Sequence, residues 1–189
     1  MTTRTYAALL RGINVGGHKK VPMAELRQVL AGLGHTDVQT YLQSGNAVFT
    51  TDRTASEDVL ARELEAAIEG HFGFRVPCLV VDGAHLRAVA AACPFPAATL
   101  EGKQLHVTFT SEQPAAERFA ALDEDAFLPE EFRVGDRVIY LYAPEGLGRS
   151  KLGEALARPA VVKGLDVTTR NWNTVAKLVE LTAEHPPEG

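Results

Sequence analysis

Cysteine is scarce. Cys78 and Cys93 are the only two in 189 residues; they form no CxxC pair, and a disulfide-stapled scaffold is excluded. No apolar run approaches the roughly 20 residues that a membrane helix needs. Residues 1–12 hold too short an apolar stretch for a secretory signal, so the sequence reads as a cytoplasmic protein with no membrane partner. There is no HExxH, GxSxG, SxxK or paired-carboxylate motif, and the six histidines are scattered. No catalytic residue, metal ligand or cofactor is therefore assigned.

Acidic residues are also missing where they would be most informative. Residues 1–20 carry Arg4, Arg11, Lys19 and Lys20 with no acid, and residues 146–177 carry six Lys or Arg against Glu154 and Asp166. The intervening segment, 21–145, is strongly acidic, and the whole chain has a net charge of -5. Two basic islands in an acidic body point to sites for anions rather than a surface coated by nucleic acid.

Apolar periodicity supplies the architecture. Residues 4–11 read as a buried strand, and Pro22 opens a helix that reaches Leu33. Two strands follow about a Ser44-Gly45-Asn46 turn. Thr54 and Glu57 resemble a capping box ahead of a helix to about Gly70. Residues 74–81 form a strand whose Pro77 argues for an edge position, and Gly83–Ala92 form a linker helix. The order then repeats, with strands at Gln104–Phe109, Phe132–Val134, Arg137–Tyr142 and Leu165–Thr168 and helices at Gln113–Leu122 and Arg149–Ala157. A last helix starts near Asn171, with Trp172, Val175, Ala176 and Val179 on its apolar face. This order predicts an α+β fold of two consecutive ferredoxin-like (βαββαβ) halves, residues 1–93 and 98–189.

In such a half, the loop after strand one and the turn after strand two share one sheet end. That places Gly12–Val21 beside Gln43–Asn46. Strands three and four also run parallel and end at the opposite side, which in the second half places Ala143–Lys151 beside Thr169–Asn173. The first loop, Arg11-Gly12-Ile13-Asn14-Val15-Gly16-Gly17-His18-Lys19-Lys20, joins a strand to a helix whose start favours negative charge. It is neither a Walker A loop nor a GxGxxG fingerprint. In Gly146-Leu147-Gly148-Arg149-Ser150-Lys151, the arginine and lysine could clamp a phosphate. The candidate ligand contacts are Arg11, Asn14, Lys19, Lys20, Gln43 and Asn46 at one end, with Arg149, Lys151, Arg170 and Asn173 at the other. Trp172 is assigned to the core, and Asn171 is a candidate helix cap.

At LLRGINVGGHKKVPMAELR, QSGNAVF, GRSKL and RNWNTVAKL the chain strongly resembles the bacterial family called domain of unknown function 1697. These blocks lie in both halves. The resemblance implies two ferredoxin-like subdomains and carries no settled activity, cofactor or catalytic residue. The leading functional reading is binding of a small phosphorylated or otherwise anionic ligand, a nucleotide being one candidate. A phosphoryl- or acyl-transfer enzyme stands second, lacking an evident base or nucleophile. A nucleic-acid-binding module and a protein-partner module follow. For RNA recognition, Ala47-Val48-Phe49 supplies only a fragment of the aromatic pattern. The oligomeric state is left open.

Overall fold

A computed structural model describes residues 2–183 of the chain. It is α+β, with two four-stranded antiparallel sheets and six α-helices among the described residues. The chain divides into two units. One runs through Arg87 and resumes at Leu178, and the other is Ala88–Lys177. The division falls inside two helices rather than at the Pro94–Pro96 break, so its limits differ from 1–93 and 98–189. Residues 184–189 lie outside the described residues.

The first unit contains β1 (Arg4–Leu10), α1 (Met23–Gly32), β2 (Thr36–Tyr41), β3 (Asn46–Thr51), α2 (Glu57–Phe72) and β4 (Cys78–Asp82), followed by the start of α3 (Gly83–Ala91). The sheet order is β2-β3-β1-β4, with every neighbouring pair antiparallel. Strands β1 and β2 are each antiparallel to β3, so they run parallel and end on the same side. The apolar run of β1 suits its central place. Tyr6, Ala8 and Leu10 join Ala47 and Phe49 of β3 under Leu26 and Leu30 of α1 and Leu60, Leu64 and Ile68 of α2. Ala7, Leu9 and Val48 on the other face are buried as well.

Strand β4 is an edge, as Pro77 suggested. Its Cys78 and Asp82 amides donate to Glu65 Oε1 (2.9 Å) and Glu57 Oε1 (2.7 Å) of α2. Two helix carboxylates thus satisfy edge groups that would otherwise invite another strand. Glu57 is consequently unavailable for the expected capping box with Thr54. Ser56 caps α2 instead, its Oγ accepting from the Val59 amide at 3.2 Å.

The second unit contains β5 (Leu105–Thr110), β6 (Glu131–Gly135), β7 (Val138–Tyr142), α4 (Lys151–Leu156), α5 (Pro159–Val162), β8 (Val167–Asn171) and the start of α6 (Trp172–Ala183). Its order, β6-β7-β5-β8, matches that of the first sheet. The helix expected at Gln113–Leu122 is absent. Two 3-10 turns, Ala116–Phe119 and Glu124–Phe127, stand between β5 and β6. Long-range bonds hold this segment: the Gln113 amide side chain bridges Gly135 O and Arg137 N, and Arg118 Nη1 donates to Val161 O and Lys163 O. Tertiary hydrogen bonding has overridden the local helical pattern.

The face of α6 also differs from expectation. Val175, Leu178 and Leu181 are buried, Ala176 is exposed, and Trp172 is only half-buried. Among the described residues, no helix is long and apolar enough to cross a membrane.

Candidate anion-binding site

The glycine-rich loop is a small hairpin finger. Val15 and His18 form an isolated bridge, with the His18 amide donating to Val15 O at 3.0 Å. Gly16 and Gly17 between them have φ of 58° and 77°. Two successive positive φ angles are what a type I′ two-residue turn requires, and glycine supplies them without steric strain. The glycines therefore close a turn, and helix α1 begins beyond it at Met23 after Pro22, with no side-chain cap.

Asn14 holds the base of the finger. Its Nδ2 donates to Val21 O (3.0 Å) and Gln43 O (2.7 Å), while its Oδ1 accepts from the Val21 amide (2.9 Å). Loop and turn therefore meet at the shared end of β1 and β2. Asn46 is fully buried, with Nδ2 donating to Tyr41 O and Ser44 Oγ. Both asparagines are committed to holding backbone, which leaves the exposed side chains of Arg11, Lys20 and Gln43 to face solvent. Lys19 is exposed too, and its Nζ donates to Arg75 O at 2.8 Å. The Arg11 amide donates to Pro77 O. These two bonds bring the segment before β4 alongside the finger, adding exposed Arg75 to the cluster. Among the described residues, Arg11, Lys19, Lys20 and Arg75 form no ion pair; the nearby Glu25 pairs with His71 at 3.1 Å.

The second basic island is built differently. Ser150 is the N-cap of α4, its Oγ accepting from the Gly153 amide at 2.8 Å and donating to Glu130. The Lys151 and Leu152 amides both donate to the Glu130 carboxylate at 3.2 Å. The anion at this helix start is the chain's own, and an incoming phosphate would have to displace it. Arg149 and Lys151 are exposed around that closed cap. Arg170 lies on β8 opposite Val107, with Nη1 donating to Thr168 Oγ1 (2.6 Å) and Thr169 O (3.0 Å). Burial pushes its pKa down to about 10. Asn171 caps α6, its Oδ1 accepting from the Thr174 amide at 3.0 Å. The Asn173 side chain lies so close over Gly102 that a Cβ there would sit 2.2 Å from it. Of the four candidates here, Arg170 is packed into the protein's own frame, while Asn173 is exposed with its side chain laid over Gly102.

The model of a family described as "Protein of unknown function (DUF1697)" matches residues 3–140. The chain belongs to that family. The matched span includes the finger, the Gln43–Asn46 turn and Arg75, and ends before the Gly146–Lys151 loop. This DUF1697 chain is similar to a solved structure, the conserved bacterial protein SP0830 from Streptococcus pneumoniae. The two share 25% identity with a TM-score of 0.75, over 97% of this chain and 100% of that one. No curated protein matches the sequence.

Two residues of this DUF1697 chain escaped the sequence reading. Arg75 reaches the finger across 56 positions and Glu130 reaches Ser150 across 20, with no local pattern to mark either. Among the described residues, no group of three His, Cys, Asp or Glu could hold a metal ion.

Proposed function

We propose that the basic end of the first unit binds a phosphate-bearing anionic ligand through Arg11, Lys19, Lys20 and Arg75, with Gln43 at the rim. The observation that carries this reading is four exposed cations without ion-paired carboxylates, held at one end of a sheet. Asn14 and Lys19 spend hydrogen bonds fixing that geometry, so part of the ordering cost is met before a ligand arrives. Asn14 and Asn46 are scaffold in this reading, and Arg149, Lys151, Arg170 and Asn173 leave the site. The architecture we propose for the frame is two ferredoxin-like halves, supported by the shared strand order and, in the first half, by the βαββαβ sequence of elements.

A nucleic-acid backbone presents the same phosphate chemistry. The burial of Ala7, Leu9 and Val48, with no aromatic among them, argues against bases stacking on the first sheet. Calorimetric titration with inorganic pyrophosphate, ADP and a single-stranded oligonucleotide tests the reading. Wild-type protein should bind pyrophosphate or ADP, and Lys19→Glu with Lys20→Glu, or Arg75→Glu, should weaken binding at least tenfold with an unchanged melting temperature. Exposed charge changes usually cost under about 0.5 kcal/mol in stability. Equal affinity in the reversed variants, or no binding by wild type, overturns the site. Oligonucleotide binding that collapses with salt, by roughly 0.7 in log-log slope per neutralised phosphate, would assign the cations to nucleic acid instead.

A further inference from the structure

The same end of the first unit carries two features that anion binding leaves unused. Val15 at the finger tip is 66% exposed, and Leu42 on the neighbouring turn is 55% exposed. Leu42 also has φ of 58°, a conformation that costs a bulky residue energy. The Asn14–Gln43 hydrogen bond joins the residues next to them, so two exposed aliphatic side chains stand amid Arg11, Lys19, Lys20 and Arg75. A simple phosphate has no use for such side chains. The surface fits an acidic partner that also offers apolar contact.

The second unit presents that chemistry on one segment. Leu122 and Phe127 pack against the core formed by Phe132, Ile139 and Leu141. Between and beside these anchors, Asp123, Glu124 and Asp125 are exposed, and Leu128 is 59% exposed. Among the described residues, none of these three acids forms an ion pair or side-chain hydrogen bond. The acidic segment is thus held from beneath, with its charges and one leucine facing outward. It opposes the finger in both sign and apolar content.

We propose that the finger end of one molecule docks on the Asp123–Leu128 segment of a second copy of this chain. The two surfaces differ, so the contact is heterologous. A pair keeps one unused surface of each kind, the acidic segment on one molecule and the finger on the other, and association continues into a ring or an open chain. The contact is small and charge-rich, so it is weak and depends on salt.

Sedimentation velocity over a range of protein concentrations, at low and high ionic strength, reads this directly. Wild-type protein should associate as concentration rises at low salt and dissociate at high salt. One variant carries Lys19→Glu and Lys20→Glu, and the other carries Asp123→Lys and Glu124→Lys. Each alone brings like charges to both surfaces and should stay monomeric, whereas an equimolar mixture should associate again. Val15→Ser with Leu42→Ser should weaken wild-type association several-fold without changing its salt dependence. A wild type that stays monomeric throughout overturns the proposal. So does a reversed variant that self-associates normally, or a mixture that fails to associate. The cations are those of the anion reading, but pyrophosphate titration and sedimentation are separate readouts, so either reading can fail without the other.

Discussion

Gly45 lies between two turn-forming residues in the sequence, and the structure gives it a second burden. With φ at 95°, it is buried so close to β1 that a Cβ would meet Leu10 Cβ at 2.8 Å and Ile13 Cδ1 at 3.1 Å. Gly45→Ala should cost about 3 kcal/mol in urea denaturation, combining backbone strain with a contact that cannot relax. Arg170 shows how a small error in an element boundary changes a residue's role. The sequence suggests a strand ending at Thr168, which leaves Arg170 in a loop. The strand instead runs Val167–Asn171, and its two-residue period turns Arg170 to the same face as buried Thr168. Arg170→Ala should therefore cost about 2 kcal/mol, from lost hydrogen bonds to a charged group. Arg170→Met should cost less, because methionine keeps the packing of the buried stem while removing a charge that burial disfavours. Equal losses for the two variants in urea denaturation would show that the lost hydrogen bonds, not packing, decide.

At the scale of elements, the strands were legible because apolar residues alternate or run continuously, and the turns because Gly and Asn mark them. Side chains that complete another element from a distance were not. Glu57 and Glu65 lie two helical turns apart on α2, and nothing in their local sequence marks them as acceptors for the β4 amides. Glu130 gives no sign in sequence that it will cap α4. Its role predicts that Ser150→Ala will cost about 1–2 kcal/mol, the usual range for a lost N-cap. Glu130→Gln, which keeps the shape but removes the charge, should cost less than Glu130→Ala when both are unfolded in urea. The finger was legible as a glycine-rich loop but not as a hairpin, since Asn14 closes it through bonds to Val21 and Gln43. Asn14→Ala should raise amide hydrogen exchange in residues 12–20 and 43–46 together. Exchange confined to the finger would separate the two segments.

Across the whole molecule, two buried histidines make stability depend on pH. His35 stacks on Phe49 at 4.3 Å in the first unit, and His106 lies on β5 in the second; neither Nδ1 has a hydrogen-bond partner among the described residues. Burial lowers both pKa values, and for His35 the Arg53 charge adds to the lowering while Glu63 opposes it. A lowered folded pKa means that the unfolded chain takes up the proton first. Stability is thus fully present above about pH 6.5 and is lost as pH falls through the folded-state values. His106→Leu should flatten part of that slope in urea midpoints measured from pH 7.5 to 5; an unchanged slope would place the titration elsewhere. The other molecular-scale feature is the return of α6 to the first unit, where Leu178 and Leu181 are buried and Thr182 Cβ would stand 3.0 Å from a Cβ at Gly83. A stop after Lys177 should destabilise the first unit by about 4 kcal/mol or more, read as faster proteolysis within residues 2–87. This arrangement also sets a schedule for synthesis. The 90 residues from 88 to 177 must be made after Arg87 before the missing helical turns appear, a delay of roughly 5–18 s at typical ribosomal rates. Through that interval the second unit can close on itself, while the region around Gly83 waits for the last stretch of chain, so synthesis begins with one unit and completion begins with the other.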